Sequence, residues 1–486
     1  MPACCGDEMP KPILKDVLTL ASKSLWQDVI SATDNVSDLV KQPRLFGLRL
    51  EASIALADEE KLRSTCADAA ATSMPPQIRY ATLRPLMKVG RGSDAWQILM
   101  GDSSIVSDPG FLPQAHRVAK GAKADRGLKT KITSTLRNLH PRTVRPHRSK
   151  LQFANNKSSS GRPLGSVTCL ASTATDQKHL VALNQSYNDL LHRIAQPRPP
   201  RVREFHDVFV DRYGQIWAED GAIVRSYGKP MPSLKRSDCQ VVDYAVNGLM
   251  ATRGIYHWLI DRMPHFGIVS PGDTTGVKII MWEGGPRFER ESLDMAGFEH
   301  DQIVTISEFA FIKRLVVPDV GFAGLRHWAV SGEMFERMSE RAFAIAEREG
   351  FRGSKRIYVS RRDSVRRPLD NELELEALLE QRGFSNLLFA EMPMWQKIVV
   401  CSTATHVIGP HGAGLAHLIY SKPGTKVLEV LPIMDGSYAL RFIYSRLSTV
   451  LGLDYQAWLE PQLPQTDRWR VDLAEFTPVL DRWLAE

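Results

Sequence analysis

The sequence predicts an α/β protein with a Rossmann-like parallel sheet in its C-terminal part, preceded by an α-helical module. From residue 331 onwards, short apolar strands alternate with helices, and strands joined by helices pair in parallel through crossover connections. From about residue 11 to 137, apolar residues instead recur at helical spacing, with Pro, Gly and Asp between the segments. The length of 486 residues exceeds what one hydrophobic core accommodates, so two or three domains are expected.

The elements of the C-terminal part follow from apolar periodicity, with strands as short apolar runs and helices as longer amphipathic segments. In order, we predict a helix over 331–349, a strand over 355–360, a helix over 371–383, a helix over 394–403, a strand over 405–410, a short helix over 412–420 and a strand over 425–432. Upstream, residues 207–217 alternate around Tyr213-Gly214 as in a β-hairpin, and residues 277–282 are predicted to form a strand.

Composition suggests where the domains meet. Residues 140–165 combine Pro, Ser, Asn and basic residues with little apolar periodicity, which is typical of a linker. We therefore predict a helical, repeat-like module over 1–139, a basic linker over 140–165, and α/β domains over 166–345 and 346–486.

The overall composition is that of an ordinary globular protein, with 43% apolar and 24% charged residues. No apolar run approaches the roughly 18 residues that cross a bilayer, and the N-terminal residues lack the basic start and apolar stretch of a signal peptide. The six cysteines are scattered, without a Cys-x-x-Cys pair. We expect a cytoplasmic protein, with peripheral contact at the inner membrane face as an option.

The net charge is +7, and the basic excess peaks in residues 137–150. Two interpretations stay open: a solvated linker, or a contact with anionic lipid headgroups, lipid-linked phosphate or nucleic acid. Nucleic acid is the weaker option because the run lacks interleaved aromatic residues and the chain has no zinc-finger or RNA-recognition signature.

A glycine-rich turn after the strand over 405–410 is the sharpest local feature. The turn consists of His411, Gly412, Ala413 and Gly414. Glycines let the backbone approach a ligand closely, and the free amides at the start of the next helix favour an anion such as a diphosphate. Alternatively, the glycines only allow close packing of the helix on the strand. The turn is not the dinucleotide fingerprint, because His417 stands where its third glycine belongs.

A basic loop follows the strand over 355–360 and precedes the next helix. Its arginines are Arg361, Arg362, Arg366 and Arg367. The planar guanidinium group matches phosphate oxygens, so this loop is a second candidate for holding a diphosphate, with one or two of the arginines facing solvent. Asn371 is predicted to cap the helix that follows.

Acidic groups and one histidine complete the candidate residues. Glu429 ends the strand after the glycine turn, where an acidic side chain can bind ribose hydroxyls. His257 and Asp261 are four residues apart and share one face if their segment is helical, with Pro264 ending that helix. Taken alone, such a His-Asp pair is weak evidence, because a helix-surface pair or a buried capping network explains most of them.

These segments, in this order, resemble glycosyltransferase family 61 over roughly residues 200–435. The family includes bacterial capsular-polysaccharide enzymes, plant xylosyltransferases and animal O-GlcNAc transferases of the secretory pathway. The residues that carry the resemblance are Tyr256, His257, Trp258, Leu259, Asp261 and Pro264, then Tyr358–Arg361, Asn371-Glu372 and Gly383-Phe384, and finally Gly409, His411–Leu415, Pro423-Gly424 and Glu429. Two residues depart from the family pattern: His417 replaces an expected Asn, and Pro368 interrupts the stretch before Asn371.

The resemblance implies a GT-B fold, with two Rossmann-like domains facing a cleft, and an inverting reaction without an essential metal or other cofactor. It implies that the first domain binds the acceptor and the second the nucleotide-sugar donor. The expected donor-binding residues are Arg361, Arg367, Asn371, His411, Gly412, Ala413, Gly414 and Glu429. An inverting transfer also needs a base, for which Asp261 is the first candidate and His257 the second.

We therefore expect a glycosyltransferase that moves a sugar from a nucleotide-sugar donor to a saccharide or lipid-linked acceptor, in bacterial capsular or surface polysaccharide biosynthesis. The alternative is a non-catalytic helical-repeat scaffold whose transferase-like domain binds a nucleotide or a glycan. A pure binding module has no need of a base, which favours the enzyme. A nucleotide-dependent redox enzyme is disfavoured by the missing third glycine.

Overall fold

In the computed structural model, the chain forms two compact units. Unit 1 contains Met1–Arg145, Val208–Val210 and Gln215–Cys239, and unit 2 contains Pro146–Asp207, Asp211–Gly214 and Gln240–Glu486. The predicted domain boundaries stay predictions, and residues 140–145 and 150 of the basic run over 137–150 lie outside the described residues. The structure describes residues 12–34, 36, 39, 42–71, 76–101, 105–106, 108, 110–122, 125–139, 146–149, 151, 163–194, 201–272, 276–319, 328–364, 366–434, 442–463 and 468–486.

Unit 1 begins with α-helices, as the helical periodicity predicts. Their apolar stripes meet in a core that includes Phe46, Leu83, Trp96 and Phe111. The helices are α1 (Pro12–Ser22), α2 (Trp26–Asp34), α3 (Pro43–Ala55), α4 (Glu59–Ala71), α5 (Pro76–Lys88), α6 (Gly92–Met100), α7 (Phe111–Gly121) and α8 (Arg126–Leu139).

The described strands, in chain order, are β1 (His147–Arg148), β2 (Val167–Ala171), β3 (Arg201–Asp211), β4 (Ile216–Ala218), β5 (Ile223–Arg225), β6 (Gln240–Asn247), β7 (Lys278–Trp282), β8 (Ile303–Ile306), β9 (Phe309–Asp319), β10 (Arg356–Val359), β11 (Ser385–Leu387), β12 (His406–Pro410), β13 (Lys426–Ile433) and β14 (Asp454–Pro461). The remaining helices are α9 (Gln177–Ile194), α10 (Arg287–Ala296), α11 (Trp328–Arg348), α12 (Glu372–Glu380), α13 (Met394–Thr403), α14 (Ile443–Leu451) and α15 (Leu473–Ala485).

The predicted β-hairpin is present. Residues 208–210 of β3 pair antiparallel with β4, which in turn pairs with β5. Gly214 in the turn has φ +77°, a left-handed conformation that favours glycine.

The first sheet of unit 2 has the strand order β3-β9-β6-β7-β8, and β1 lies beside β3. Strands β9, β6, β7 and β8 run parallel. Successive strands β6, β7 and β8 advance in one direction across the sheet, whereas β9 returns to the other side of β6. The strand order therefore reverses between β6 and β9, and ligands of such sheets bind at the carboxyl ends beside a reversal.

The second sheet of unit 2 is parallel throughout, with the order β11-β10-β12-β13-β14-β2. Its central strand β13 is buried along almost its whole length because both faces of the sheet are covered. The order reverses between β10 and β12. Strand β2 lies within the range predicted for the first α/β domain but adds to the edge of this second sheet.

The alternation of helices and strands predicted from residue 331 is confirmed, and one helix in this region and one upstream of it differ in geometry from an α-helix. The segment Ala413–Tyr420 is a 3-10 helix, and all of its residues from Leu415 to Tyr420 are buried. The segment His257–Arg262 is a π-helix that passes directly into a 3-10 helix over Met263–Ile268. Within the described part of the chain, no helix combines the length and apolar character needed to cross a bilayer.

Candidate functional site

The basic loop and the glycine turn meet at the reversal point of the second sheet. Strand β10 ends at Val359, two residues before Arg361, and β12 ends at Pro410, directly before His411. Because β10 and β12 are parallel neighbours, both segments leave the sheet at the same edge. This edge is where ligands of doubly wound sheets bind.

The side chain of Arg361 joins these two segments. Its Nη1 donates to the carbonyl oxygen of His411, and its Nη2 donates to Ser364 Oγ at 2.7 Å and to the carbonyl oxygen of Arg366 at 3.0 Å. Burial and the nearby charge of Arg367 lower the pKa of Arg361. Two guanidinium groups therefore lie close together beside the glycine turn.

The two glycines of the turn have different neighbours. A Cβ atom at Gly412 would lie 2.5 Å from Arg361 Nε, whereas a Cβ atom at Gly414 would lie 2.8 Å from Val359 Cγ1. At Gly414 the missing side chain allows the 3-10 helix to pack on β10, which is the alternative explanation given above for the glycines. Ala413, between them, is exposed, and the amides of residues 412–414 precede the first amide that can bond within the helix.

His411 and Glu429 form a buried pair. His411 Nδ1 donates to Glu429 Oε1 at 2.6 Å, and the hydroxyl of Tyr455 donates to Glu429 Oε2. Glu429 has no solvent exposure and His411 is 4% exposed. Glu429 lies within β13 and not at its end, as the sequence suggests, and both carboxylate oxygens face side chains of the protein; its predicted contact with ribose stays a prediction. The carboxylate fixes the orientation of His411.

Asn371 and Glu372, at the start of α12, form hydrogen bonds that hold the ends of the basic loop. Asn371 stands at the predicted N-cap position of α12, but its side chain does not cap the helix; it bonds in both directions to the main chain of Val471, at 2.8 and 3.0 Å. The predicted cap bond is thus wrong, because the distant Val471 competes for the amide. Glu372 accepts hydrogen bonds from the Arg361 amide at 2.6 Å and from the hydroxyls of Tyr358 and Ser360 at 3.1 Å.

The other arginines of the loop divide by exposure. Arg362 and Arg366 are exposed, and Arg362 Nε lies 3.1 Å from Glu376 Oε1. Arg367 is half-buried, and its φ of +52° is a left-handed conformation that non-glycine residues rarely adopt. Backbone strain of this kind clusters at functional sites.

The His257–Asp261 pair lies in the segment that follows β6, and Arg262 in this segment donates from Nη1 to the carbonyl oxygen of Asn247, the last residue of β6, at 3.1 Å. His257 Nδ1 and Asp261 Oδ2 are 2.7 Å apart, and the two side chains are 41% and 37% exposed. The π-helix keeps residues four apart on one face, and such π turns are frequent at functional sites. The predicted shared face of the two residues is present.

Two tyrosines connect this pair to the glycine turn. The ring of Tyr256 meets the rings of His257 and Tyr444 edge-on, at centroid distances of 5.4 and 5.7 Å. Tyr444 in turn lies 5.6 Å from the ring of His411. The pair after β6 and the turn after β12 are therefore two aromatic rings apart.

Glu372, Tyr444 and Tyr455 belong to this site but were not among the predicted site residues. Glu372 was visible only as part of the Asn-Glu motif, and the two tyrosines lie in or next to elements that carry no motif. Among the described residues, no group of three or more His, Cys, Asp or Glu side chains is arranged to hold a metal ion.

The described part of the chain thus combines a partly exposed His–Asp pair with a glycine turn that lies against an arginine-rich loop. Residues 255–428 match the family Glycosyltransferase 61, and the resemblance to that family is confirmed. The chain is also similar to the Beta-1,2-xylosyltransferase RCN11 of rice (Oryza sativa subsp. japonica), with 35% identity over 95 residues. This match covers 16% of the chain and 18% of the rice enzyme.

Proposed function

We propose that the chain is an inverting glycosyltransferase of the GT-B type, which moves a sugar from a nucleotide-sugar donor to a saccharide or lipid-linked acceptor without an essential metal ion. The observation that carries the proposal is the proximity of the His257–Asp261 pair to the glycine turn, inside the matched range 255–428. One group can accept a proton, and the other can hold an anionic leaving group.

In this mechanism His257 accepts the proton and Asp261 orients the imidazole ring. Asp261 accepts the hydrogen bond of His257 Nδ1–H, which leaves the lone pair of His257 on Nε2, and no described residue bonds to that atom. The acceptor hydroxyl would give its proton to Nε2 while its oxygen attacks the anomeric carbon of the donor. Asp261, the first candidate from the sequence, then orients and stabilises the protonated imidazole.

The leaving group is the nucleoside diphosphate, released when the bond between the anomeric carbon and the phosphate oxygen breaks. The amides of residues 412–414 and the guanidinium group of Arg367 supply positive charge at the edge of the second sheet. Charge supplied by arginine and backbone amides can replace the role that a divalent cation has in other transferases.

The cellular setting is part of the proposal. The net charge of +7 and the basic run over 137–150 suit an acceptor or surface that carries phosphate. We propose that the reaction takes place at the cytoplasmic face of a membrane and, from the family resemblance, that it serves the synthesis of a bacterial surface polysaccharide. Sedimentation with vesicles that contain anionic lipid, compared with neutral vesicles, tests the membrane contact.

The direct test of activity is donor hydrolysis with a panel of nucleotide sugars, each assayed with and without EDTA. We expect one donor to be hydrolysed slowly by the wild-type chain, with a rate unchanged by EDTA. Nucleotide binding without hydrolysis or transfer for any donor would favour the non-catalytic scaffold instead.

A further inference from the structure

We propose that Arg361 is a positioning residue that shapes the glycine turn, and that residue 412 is glycine because the guanidinium group of Arg361 lies against it. The catalytic consequence of this inference rests on the proposed function, whereas the contact itself does not. The sequence places Arg361 among the phosphate ligands, and the geometry points to a different task.

The guanidinium group of Arg361 is already engaged by the protein. Nη1 bonds to the carbonyl oxygen of His411 and Nη2 to Ser364 Oγ and the carbonyl oxygen of Arg366. These partners lie on both segments that border the reversal point. Only the planar guanidinium group of arginine can bond to all of these partners simultaneously, because its N–H donors point in different directions from one rigid group.

The backbone end of Arg361 is fixed as well. Its amide donates to Glu372 Oε1, and Glu372 is only 5% exposed. The same oxygen accepts from Tyr358 and Ser360, so the carboxylate ties the end of β10 to the start of α12. Arg361 is therefore held at both ends and acts as a strut between β10 and the glycine turn.

The side chain of Arg361 lies directly against Gly412. The backbone of Gly412 is extended, with φ −178° and ψ 169°, a conformation open to any residue. A Cβ atom there would lie 2.5, 2.6 and 3.0 Å from Nε, Cδ and Cζ of Arg361. The requirement for glycine thus comes from the arginine and not from the backbone angles.

A double-mutant cycle of thermal stability tests the contact without any substrate. Gly412→Ala should lower Tm by about 3 °C or more in the wild-type chain but by about 1 °C or less in the Arg361→Ala background, because the clash needs both side chains. Gly47→Ala is the matched glycine control, since its Cβ meets nothing within 4 Å. Equal losses in both backgrounds would overturn the inference.

Charge-conserving variants test the positioning role. Lysine keeps the charge but not the fork, so Arg361→Lys and Arg361→Gln should reduce kcat alike, each by roughly 10-fold or more. A phosphate ligand acting by charge would instead leave Arg361→Lys within about threefold of wild type. Arg348→Lys, at an exposed arginine of α11 that pairs with Glu349, should leave kcat unchanged.

The two experiments separate the two proposals. If UDP, GDP and CDP all fail to bind the wild-type chain by calorimetry, the proposed function is wrong. The double-mutant cycle of stability then still tests whether Arg361 positions the glycine turn. If one of these nucleotides binds but Arg361→Lys retains full kcat and the cycle is additive, the strut is wrong and the transferase proposal stands.

Discussion

His417 is a buried base just behind the glycine turn. It is 2% exposed, and its Nδ1 donates to the carbonyl oxygen of Gly414 at 2.9 Å. Burial lowers the pKa of His417 to about 3, so the imidazole is neutral in the folded protein at ordinary pH. In the unfolded chain the same group titrates near pH 6.5.

This difference predicts a pH-dependent loss of stability. Above about pH 6.5 neither state is protonated at His417, and between pH 6.5 and 3 only the unfolded chain binds the proton. The free energy of unfolding should therefore fall by up to about 1.4 kcal/mol for each pH unit below 6.5. Urea unfolding of the wild-type chain and of His417→Asn, from pH 7 to pH 4, measures the contribution. Parallel pH profiles of the two proteins would contradict it.

At the residue scale, the sequence predicts those site residues that stand in short local motifs. His411, Gly412 and the arginine run stand in short motifs, and they do lie together at one sheet edge. Contacts between residues far apart in the chain cannot be predicted from such motifs. Glu429 is engaged by Tyr455, 26 residues away in the chain, and Asn371 by Val471, 100 residues away.

At the scale of a structural element, the basic loop between β10 and α12 gives a prediction about stability and nucleotide binding. Arg367 holds a left-handed conformation that costs a non-glycine residue roughly 1–2 kcal/mol, and glycine adopts it freely. Glycine also loses more entropy on folding, by about 0.5–1 kcal/mol, so the two effects largely offset each other. Arg367→Gly should thus change the free energy of unfolding by less than about 1 kcal/mol.

The same variant removes a guanidinium group from the leaving-group site. We expect the affinity for a nucleoside diphosphate to fall about 10-fold, the loss of one charge-assisted hydrogen bond. Arg367→Lys, which keeps both the charge and the strained backbone, is the control. A destabilised Arg367→Gly protein with unchanged affinity would show that the loop serves the fold alone.

At this scale the sequence predicts the existence and order of elements well, because apolar periodicity decides them. It does not separate an α-helix from the tighter 3-10 helix at Ala413–Tyr420 or the wider π-helix at His257–Arg262, since both share the apolar pattern. The placement of β2 beside β14 is also not predictable, because it joins segments almost 300 residues apart.

At the scale of the whole molecule, unit 1 combines the helices with residues 215–239, which come much later in the chain. Gln114 Nε2 donates to the carbonyl oxygen of Gly228 at 2.7 Å, and Ser226 Oγ donates to that of Pro113 at 3.2 Å. Lys120 Nζ lies 5.6 Å from the centre of the Tyr227 ring. We therefore expect that the helical module cannot be removed at the predicted linker without a loss of stability.

Removal of residues 1–139 should leave these groups without partners. We expect the shortened chain to aggregate, or to unfold at a Tm lower by about 5 °C or more, in size-exclusion chromatography and thermal scans. Gln114→Ala in the full chain should reproduce part of the loss, about 1–3 kcal/mol, because a buried carbonyl group loses its donor. A monomeric shortened chain with unchanged Tm would contradict this expectation and support the predicted boundary near residue 140.

The central proposal is that His257 and Asp261 act together as the base for sugar transfer. The most direct measurement is the turnover of the best donor by wild type, His257→Ala and Asp261→Asn, with calorimetric affinity for the nucleoside diphosphate measured in parallel. We expect both variants to lose roughly 100-fold or more in kcat, with donor affinity nearly unchanged, because the proton acceptor is lost or misoriented. Well-folded variants that transfer sugar at near wild-type rates would contradict the assignment.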